Sequence, residues 1–251
     1  MSTSGPGPAP GDAAMPRSLR IDLHLHTRGS WDSLSDPDAV LARARQRGVG
    51  RIAVTDHNRL DVALAMAERH PDEVIPGEEV KTAEGIDVIG LYLSEEIPKG
   101  TPMVETCRRI RAQGGIVYLP HPYAAGKGGS GRYAEELAPE VDVIEVFNAR
   151  LRSRRANRRA AELADRTGRL RGAGSDAHTP GEVGNAWVEV QDHPNRPDAL
   201  LAALAGRAAA GGGGSGGRLG GFPVRVHGER AGLHVFALSN GAKLWKKLRG
   251  R

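Results

Sequence analysis

The chain has 251 residues, 39% apolar and 4% aromatic, enough to bury one substantial core with a small appendage. A single cysteine, Cys107, excludes an intrachain disulfide framework and a multi-cysteine zinc knuckle, and such usage fits a cytoplasmic protein. No segment is long and apolar enough to span a membrane, and a net charge of +5 suits anionic partners without by itself implying nucleic acid.

Residues 1–18 are rich in Gly, Pro, Ala and Ser and lack the basic start and apolar centre of a signal peptide. They are expected to be disordered, with Met15 an alternative start. From residue 19 short β-rich runs alternate with helical patterns. Strands are predicted at 19–23, 51–54, 72–75, 86–93, 115–119, 141–147, 170–173 and 186–190. Helices are predicted at 37–47, 60–69, 102–113, 152–167 and 197–205. The first starts with Pro37 after Asp36, an N-cap pair, and sets Val40, Leu41 and Ala44 on one face. Cys107 falls in a helical pattern and reads as a packing residue. Strand–helix repetition at this spacing predicts parallel pairing with right-handed crossovers over 19–208, as a compact, distorted α/β barrel or, alternatively, a doubly wound open sheet. Residues 209–221 have the composition of a flexible linker. The extension at 222–251 holds short β-like runs and a basic end with Leu244, Trp245 and Leu248 on one helical face. Docking of that face on the parent domain is expected, in preference to contact with phosphate or a membrane surface.

Five motifs follow the apolar runs: Asp22-Leu23-His24-Leu25-His26, Thr55-Asp56-His57, Gly77-Glu78-Glu79, Pro120-His121-Pro122 and Gly174-Ser175-Asp176-Ala177-His178. Together they deliver imidazoles and carboxylates, the ligands that zinc, manganese and iron prefer, from the ends of successive strands. His24 and His26, two apart at a strand end, send both rings to one side, while Ile21, Leu23 and Leu25 face the core. Asp22 is expected to orient one of those rings, and Asp56 to orient rather than ligate beside His57. Asp32 reads as a ligand, with capping of its loop as the alternative. Alternation sends one of Glu78 and Glu79 inward, where a carboxylate can bridge two cations, and leaves the other solvated. Two prolines stiffen the backbone around His121. Small residues before Asp176 and His178 allow close backbone approach. His70, His193, His227 and His234 lack this context and are not expected to be ligands.

These motifs, in this order over about residues 19–190, resemble the PHP (polymerase and histidinol phosphatase) superfamily of metal-dependent phosphoesterases. Its stand-alone members, in which a run like Ile144-Glu145-Val146-Phe147-Asn148-Ala149-Arg150 precedes the last metal motif, are the most similar subgroup. The resemblance implies a distorted (β/α)7 barrel with a trinuclear site at the C-terminal ends of its strands. It implies that His24, His26, Glu79 and Asp176 hold one metal, Glu79 being chosen over Glu78 by the pattern Gly-x-Glu. Glu79 would bridge to a second metal held with His121, and Asp32, His57 and His178 would hold a third. Some relatives use another histidine at the second metal; here Glu145 occupies that strand end, as a ligand or as a buried hydrogen-bonding group.

The implied cofactors are two or three divalent transition-metal ions, Mn, Zn or Fe, and the implied catalytic residues are His24, His26, His57, Asp176 and His178. Such a centre hydrolyses phosphate esters with metal-activated water and needs no serine or cysteine nucleophile. Arg150, first of a cluster with Arg152, Arg154, Arg155, Arg158 and Arg159, and Lys127 in the glycine-rich loop are the candidates for gripping substrate phosphate. The expected partner is a small phosphorylated substrate of nucleotide or nucleoside bisphosphate type. A 5′→3′ exonuclease acting on short nucleic acid is the first alternative, although scarce aromatics count against binding long single strands. A non-catalytic metal-binding regulatory module is the second. No oligomeric state follows from the sequence.

Overall fold

The computed structural model describes residues 17–125, 128–206, 224–231 and 244. Lys127, the glycine-rich stretch at 209–221 and the basic end except Leu244 lie outside the described residues, as do residues 1–16 and His234.

Among the described residues, nine strands form one sheet: β1 (Ser18–Leu25), β2 (Arg51–His57), β3 (Val74–Lys81), β4 (Asp87–Leu91), β5 (Ile116–Leu119), β6 (Val143–Asn148), β7 (Leu170–Gly174), β8 (Ala186–Gln191) and β9 (Arg225–Gly228). Their order is β7-β6-β5-β4-β3-β2-β1-β8-β9. The sheet curls until the chain leaving β7 meets the end of β1. There Leu25 bridges Ala177, the His26 amide donates to the Ala177 carbonyl at 2.8 Å, and the Asp176 amide donates to the His24 carbonyl at 2.7 Å. Strands β1 to β7 therefore make a nearly closed α/β barrel, not a doubly wound open sheet.

The expectation of parallel pairing holds for β1–β2, β2–β3, β5–β6 and β6–β7. It fails at β4, which is antiparallel to both neighbours, and at β8, antiparallel to β1 and β9. Only residues 82–86 join β3 to β4. A parallel crossover needs roughly a dozen residues or more, so this link can make only a hairpin. The described part of the C-terminal extension, β9, is a strand of the same sheet.

Among the described residues, six helices accompany the sheet: α1 (Pro37–Gln46), α2 (Asp61–Arg69), α3 (Met103–Ala112), α4 (Ala134–Leu137), α5 (Arg154–Thr167) and α6 (Pro197–Leu204). The Asp36 carboxylate caps α1 by accepting from the amides of Asp38 and Ala39. Val40, Leu41, Met66, Cys107, Ile110 and Leu163 from α1, α2, α3 and α5 pack on the outer face of the sheet against Val54, Val80, Val117 and Ile144. A second apolar cluster fills the barrel, where Ile21, Leu23, Ala53, Ile75, Tyr118 and Val143 meet Leu200, Ala203 and Leu204 of α6.

The two clusters expose a departure from simple alternation in β1. Its register shifts between Asp22 and Leu25, so Ile21 and Leu23 lie in the inner cluster while Leu25 lies in the outer one. Such an irregularity re-aims the side chains that follow it. Here it turns His24 and His26 into the mouth of the barrel. A second shift, in β6 between Glu145 and Phe147, lies across from it.

Candidate metal centre

The expected ligand residues converge at one end of the barrel. β1 carries His24 and leads into His26, β2 ends on His57, and β3 contributes Glu79. The loops after β1, β5 and β7 supply Asp32, His121, and the pair Asp176 and His178. His121 and Asp176 have positive φ values of 27° and 51°, uncommon for residues with a side chain. Strain of that kind concentrates where a side chain must be aimed.

His24 Nε2 lies 3.1 Å from His26 Nε2, and these atoms are 3.4 and 3.3 Å from Glu79 Oε2. Asp176 Oδ1 lies 3.9 and 3.4 Å from the same two nitrogens. Glu79 Oε2 is also 3.1 Å from His57 Nδ1, while Glu79 Oε1 is 3.0 Å from His121 Nε2. On the far side of His57, Asp32 approaches His57 Nε2 at 3.7 Å and His178 Nε2 at 3.1 Å. Three overlapping triads result, His24–His26–Asp176, His24–Glu79–His121 and His26–His57–His178, each with one ligand atom per residue mutually within 4.8 Å.

Two observations test whether these residues fit metal ions. Glu79 Oε2 is buried and has no hydrogen-bond partner despite three imidazole nitrogens around it. A buried carboxylate oxygen left so is costly unless a cation completes it. The His24–His26 separation is also close to the ~3.3 Å between two nitrogens of a tetrahedral site with metal–nitrogen bonds of about 2.05 Å. The residues fit divalent ions.

The charge balance agrees. Burial opposes the charged form of His24, yet Glu145 and Glu79 hold it well above the usual imidazole range. Burial, with His178 and His57 nearby, pushes His26 down to about 3. Burial also works against the Asp32 carboxylate, but His178 and His57 hold it far below its ordinary value.

The surrounding shell is built from residues with defined tasks. Both oxygens of Glu145 are saturated. Oε1 faces His24 Nδ1 at 3.1 Å and accepts from the Tyr118 hydroxyl at 3.2 Å; Oε2 accepts from the His121 amide at 2.7 Å and Asn148 Nδ2 at 3.0 Å. That geometry matches the buried hydrogen-bonding alternative for Glu145. Asp56 accepts from the Thr27 amide and hydroxyl and from the Ser30 amide and hydroxyl, fixing the loop after β1. Ser30 Oγ in turn meets His26 Nδ1 at 3.0 Å and accepts from the His57 amide at 2.9 Å.

Asp22 orients no ring: its oxygens accept from the amides of His24, Ser175 and Gly184, tying β1 to the Asp176 turn. Glu78, expected to be solvated, is buried on the opposite side of β3, where it accepts from the Ile97 amide at 2.8 Å and burial lifts its carboxyl to about 8. The strand continues through both glutamates and into Lys81, so its outer face is still covered there.

Among the described residues, the other histidines stay away from these triads. His70 lies near Glu73, His193 packs on Arg51, and His227 stacks on Trp187.

A family model described as PHP-associated matches residues 154–208. An uncharacterized protein of Methanocaldococcus jannaschii is 37% identical over 188 residues, 72% of this chain and 75% of that protein. The chain also shares its fold with a two-domain protein of Bacteroides vulgatus containing a predicted PHP-like metal-dependent phosphoesterase, with a TM-score of 0.59 and 19% identity. It covers 63% of that chain, with 75% of its own length aligned. A lesion-specific endonuclease of Pyrococcus furiosus gives a TM-score of 0.61 at 14% identity, over 78% of this chain and 57% of that one. Residues 154–208 match the PHP-associated family, and the chain has the fold of the PHP-like proteins.

Around this centre opens a cleft of about 920 Å³ whose lining includes Lys81, Lys99, Arg150 and Arg152. Arg150 is buried, with Nε 3.0 Å from Glu182 Oε1. The other oxygen of Glu182 accepts from the His178 amide and from the Thr179 amide and hydroxyl, each at 3.0 Å. Glu182 thus joins the arginine to the last metal motif, and sequence reasoning missed it. Its signal was available, since Thr179-Pro180-Gly181-Glu182 is a capping-box pattern. Tyr118 and Asn148, also missed, carry no such signal. The arginine cluster itself divides: Arg159 lies over the Tyr123 ring at 3.8 Å.

Proposed function

We propose that this chain is a PHP-type metal-dependent phosphoesterase acting on small phosphate esters of nucleotide or nucleoside bisphosphate type. The observation that carries the reading is the buried, unpartnered Glu79 Oε2 among His24, His26 and His57. His24, His26, Glu79 and Asp176 would hold one ion, and Asp32, His57 and His178 another. Glu79 and His121 offer a further position, for two or three Mn, Zn or Fe ions in all. Divalent ions bound there supply a water of lowered pKa and offset the negative charge that builds on phosphate oxygens during hydrolysis.

The chain's own residues do the rest. Glu145 holds the ring of His24, Ser30, itself held by Asp56, meets the ring of His26 and the backbone amide of His57, and Glu182 holds the His178 amide and Arg150. Arg150, which lines the cleft, would hold a phosphate group. The open cleft and the likeness to a lesion-specific endonuclease favour one second reading, a nuclease acting on short strands. Cleavage of labelled oligonucleotides in preference to mononucleotides would establish it.

The test is turnover. Protein reconstituted with manganese or zinc should release phosphate from an aryl phosphate or a nucleoside bisphosphate, and His24→Ala should lose that activity while remaining folded. Absence of turnover on these and on oligonucleotides, at full metal content, would leave the non-catalytic metal-binding module as the surviving reading.

A further inference from the structure

Lys81 is a cation beside the candidate centre that none of the five motifs contains. It ends β3 two residues after Glu79, so alternation puts the two side chains on one face of the strand, roughly 6.8 Å apart. Both line the cleft, as do His57 and His121. The Lys81 amide donates to Asn58 Oδ1 at 2.8 Å, and the Asn58 amide donates to the Glu79 carbonyl at 3.0 Å, which fixes the backbone between them. The Lys81 ammonium lies 2.5 Å from Oδ1 of Asp87, its partner across β3 and β4. Asp87 is buried, whereas the lysine side chain keeps 31% of its surface exposed. The loop after His121 packs on this pair. There the Asp87 amide donates to the Gly128 carbonyl at 2.7 Å, and a Cβ on Gly128 would collide with Lys81 Nζ and Asp87 Oδ2.

Fold stability alone is a weak reason for this pair. The desolvation of a buried carboxylate can exceed what one partly exposed partner returns, and such pairs often give no net stability over apolar residues of the same size. The pair is also within electrostatic reach of the centre. Burial, then the charge of Glu79, push the Asp87 carboxyl up, while His121 and Lys81 push it down. What the arrangement achieves is an ammonium held at the cleft, on a four-carbon stem long enough to span the step back to Glu79. An ammonium has three N–H donors, more than one carboxylate oxygen can take.

We propose that Lys81 binds the reacting phosphate group: its ammonium, positioned by Asp87, donates to an anion held at the Glu79 end of the cleft. This rests on the phosphoesterase reading for turnover only, since anion binding is measurable without it.

The probe is inorganic phosphate, titrated calorimetrically into manganese-loaded full-length protein freed of excess metal. Lys81→Met alone would strand a buried carboxylate, so the informative variant combines it with Asp87→Asn, which removes both charges and keeps both shapes. Loss of a hydrogen bond to a charged group predicts phosphate affinity about tenfold weaker in the double variant, the low end of the range because Lys81 is partly exposed. Metal content by elemental analysis should equal that of the wild type. Should the double variant fail to fold, Lys81→Gln, whose amide can still donate to Asp87, takes its place. Unchanged phosphate affinity would overturn the proposal and leave the pair structural. A weakening that merely follows lost metal, or a wild type that binds no phosphate, would overturn it as well. Hydrolysis of an aryl phosphate separates the two readings. An active wild type whose variant binds phosphate equally well keeps the phosphoesterase and loses Lys81; an inactive wild type whose phosphate affinity falls with Lys81 does the reverse.

Discussion

Replacing Glu145 with glutamine keeps the shape of the side chain but removes one of its acceptors. The carboxylate faces four donors: His24 Nδ1 and the Tyr118 hydroxyl on Oε1, the His121 amide and Asn148 Nδ2 on Oε2. A glutamine oxygen must take the Oε2 place, because an NH2 there would face the 2.7 Å amide of His121 donor to donor. The glutamine NH2 then lies against His24 Nδ1. The Tyr118 hydroxyl can rotate to accept, but His24 can accept only by moving its proton to Nε2. That is the atom 3.1 Å from His26 Nε2 and 3.4 Å from Glu79 Oε2, the one aimed into the ligand cluster. The wrong tautomer cannot ligate. Loss of such an orienting partner lowers metal affinity by about 10- to 100-fold, or ~1.4 to 2.7 kcal/mol. Competition against a chromophoric chelator reads this directly, with circular dichroism confirming that Glu145→Gln is folded. Loss of one whole equivalent of metal, with the rest bound as tightly as before, would make Glu145 a ligand. Unchanged affinity for every ion would show that it does not set the His24 tautomer.

Three other perturbations test neighbouring parts of the argument. A Cβ on Gly174 would come within 2.3 Å of the His24 Cβ and 2.6 Å of Glu145 Oε1, so Gly174→Ala should lower both stability, by about 1–3 kcal/mol in urea unfolding, and metal content by elemental analysis. A stable, fully metallated variant would contradict the packing described. Glu182→Ala removes one ion-pair partner of the buried Arg150 and the acceptor of two buried amides, and should cost about 1–3 kcal/mol in the same assay; an unchanged stability would mean that those amides find another acceptor. Burial pushes the Cys107 thiol up to about 12, so a thiol reagent at pH 8 should label it only after urea unfolding, and rapid labelling of native protein would refute its packing role.

Much of the centre was legible because ligand chemistry is local. An imidazole two residues from another, a carboxylate after Gly-Glu and an Asp-Ala-His turn announce themselves wherever the chain goes. The orienting shell was not. Glu145 is 121 residues from His24, and Tyr118 27 residues from Glu145, so their pairing exists only once β5, β6 and β1 lie side by side. Glu78 misled for a different reason. Alternation gave the direction of its side chain correctly, yet the chain beyond β4, through the Ile97 amide, covers that face.

Strand–helix periodicity and five motifs in order were enough to specify an α/β barrel with imidazoles and carboxylates gathered at its strand ends, since both depend on neighbours along the chain. Direction of pairing at β4 and β8, the closure of β7 on β1, and the register shift that aims His24 and His26 inward were decided by tertiary structure. Those features depend on where a short link must turn and on which face finds apolar cover, and both are properties of the assembled sheet.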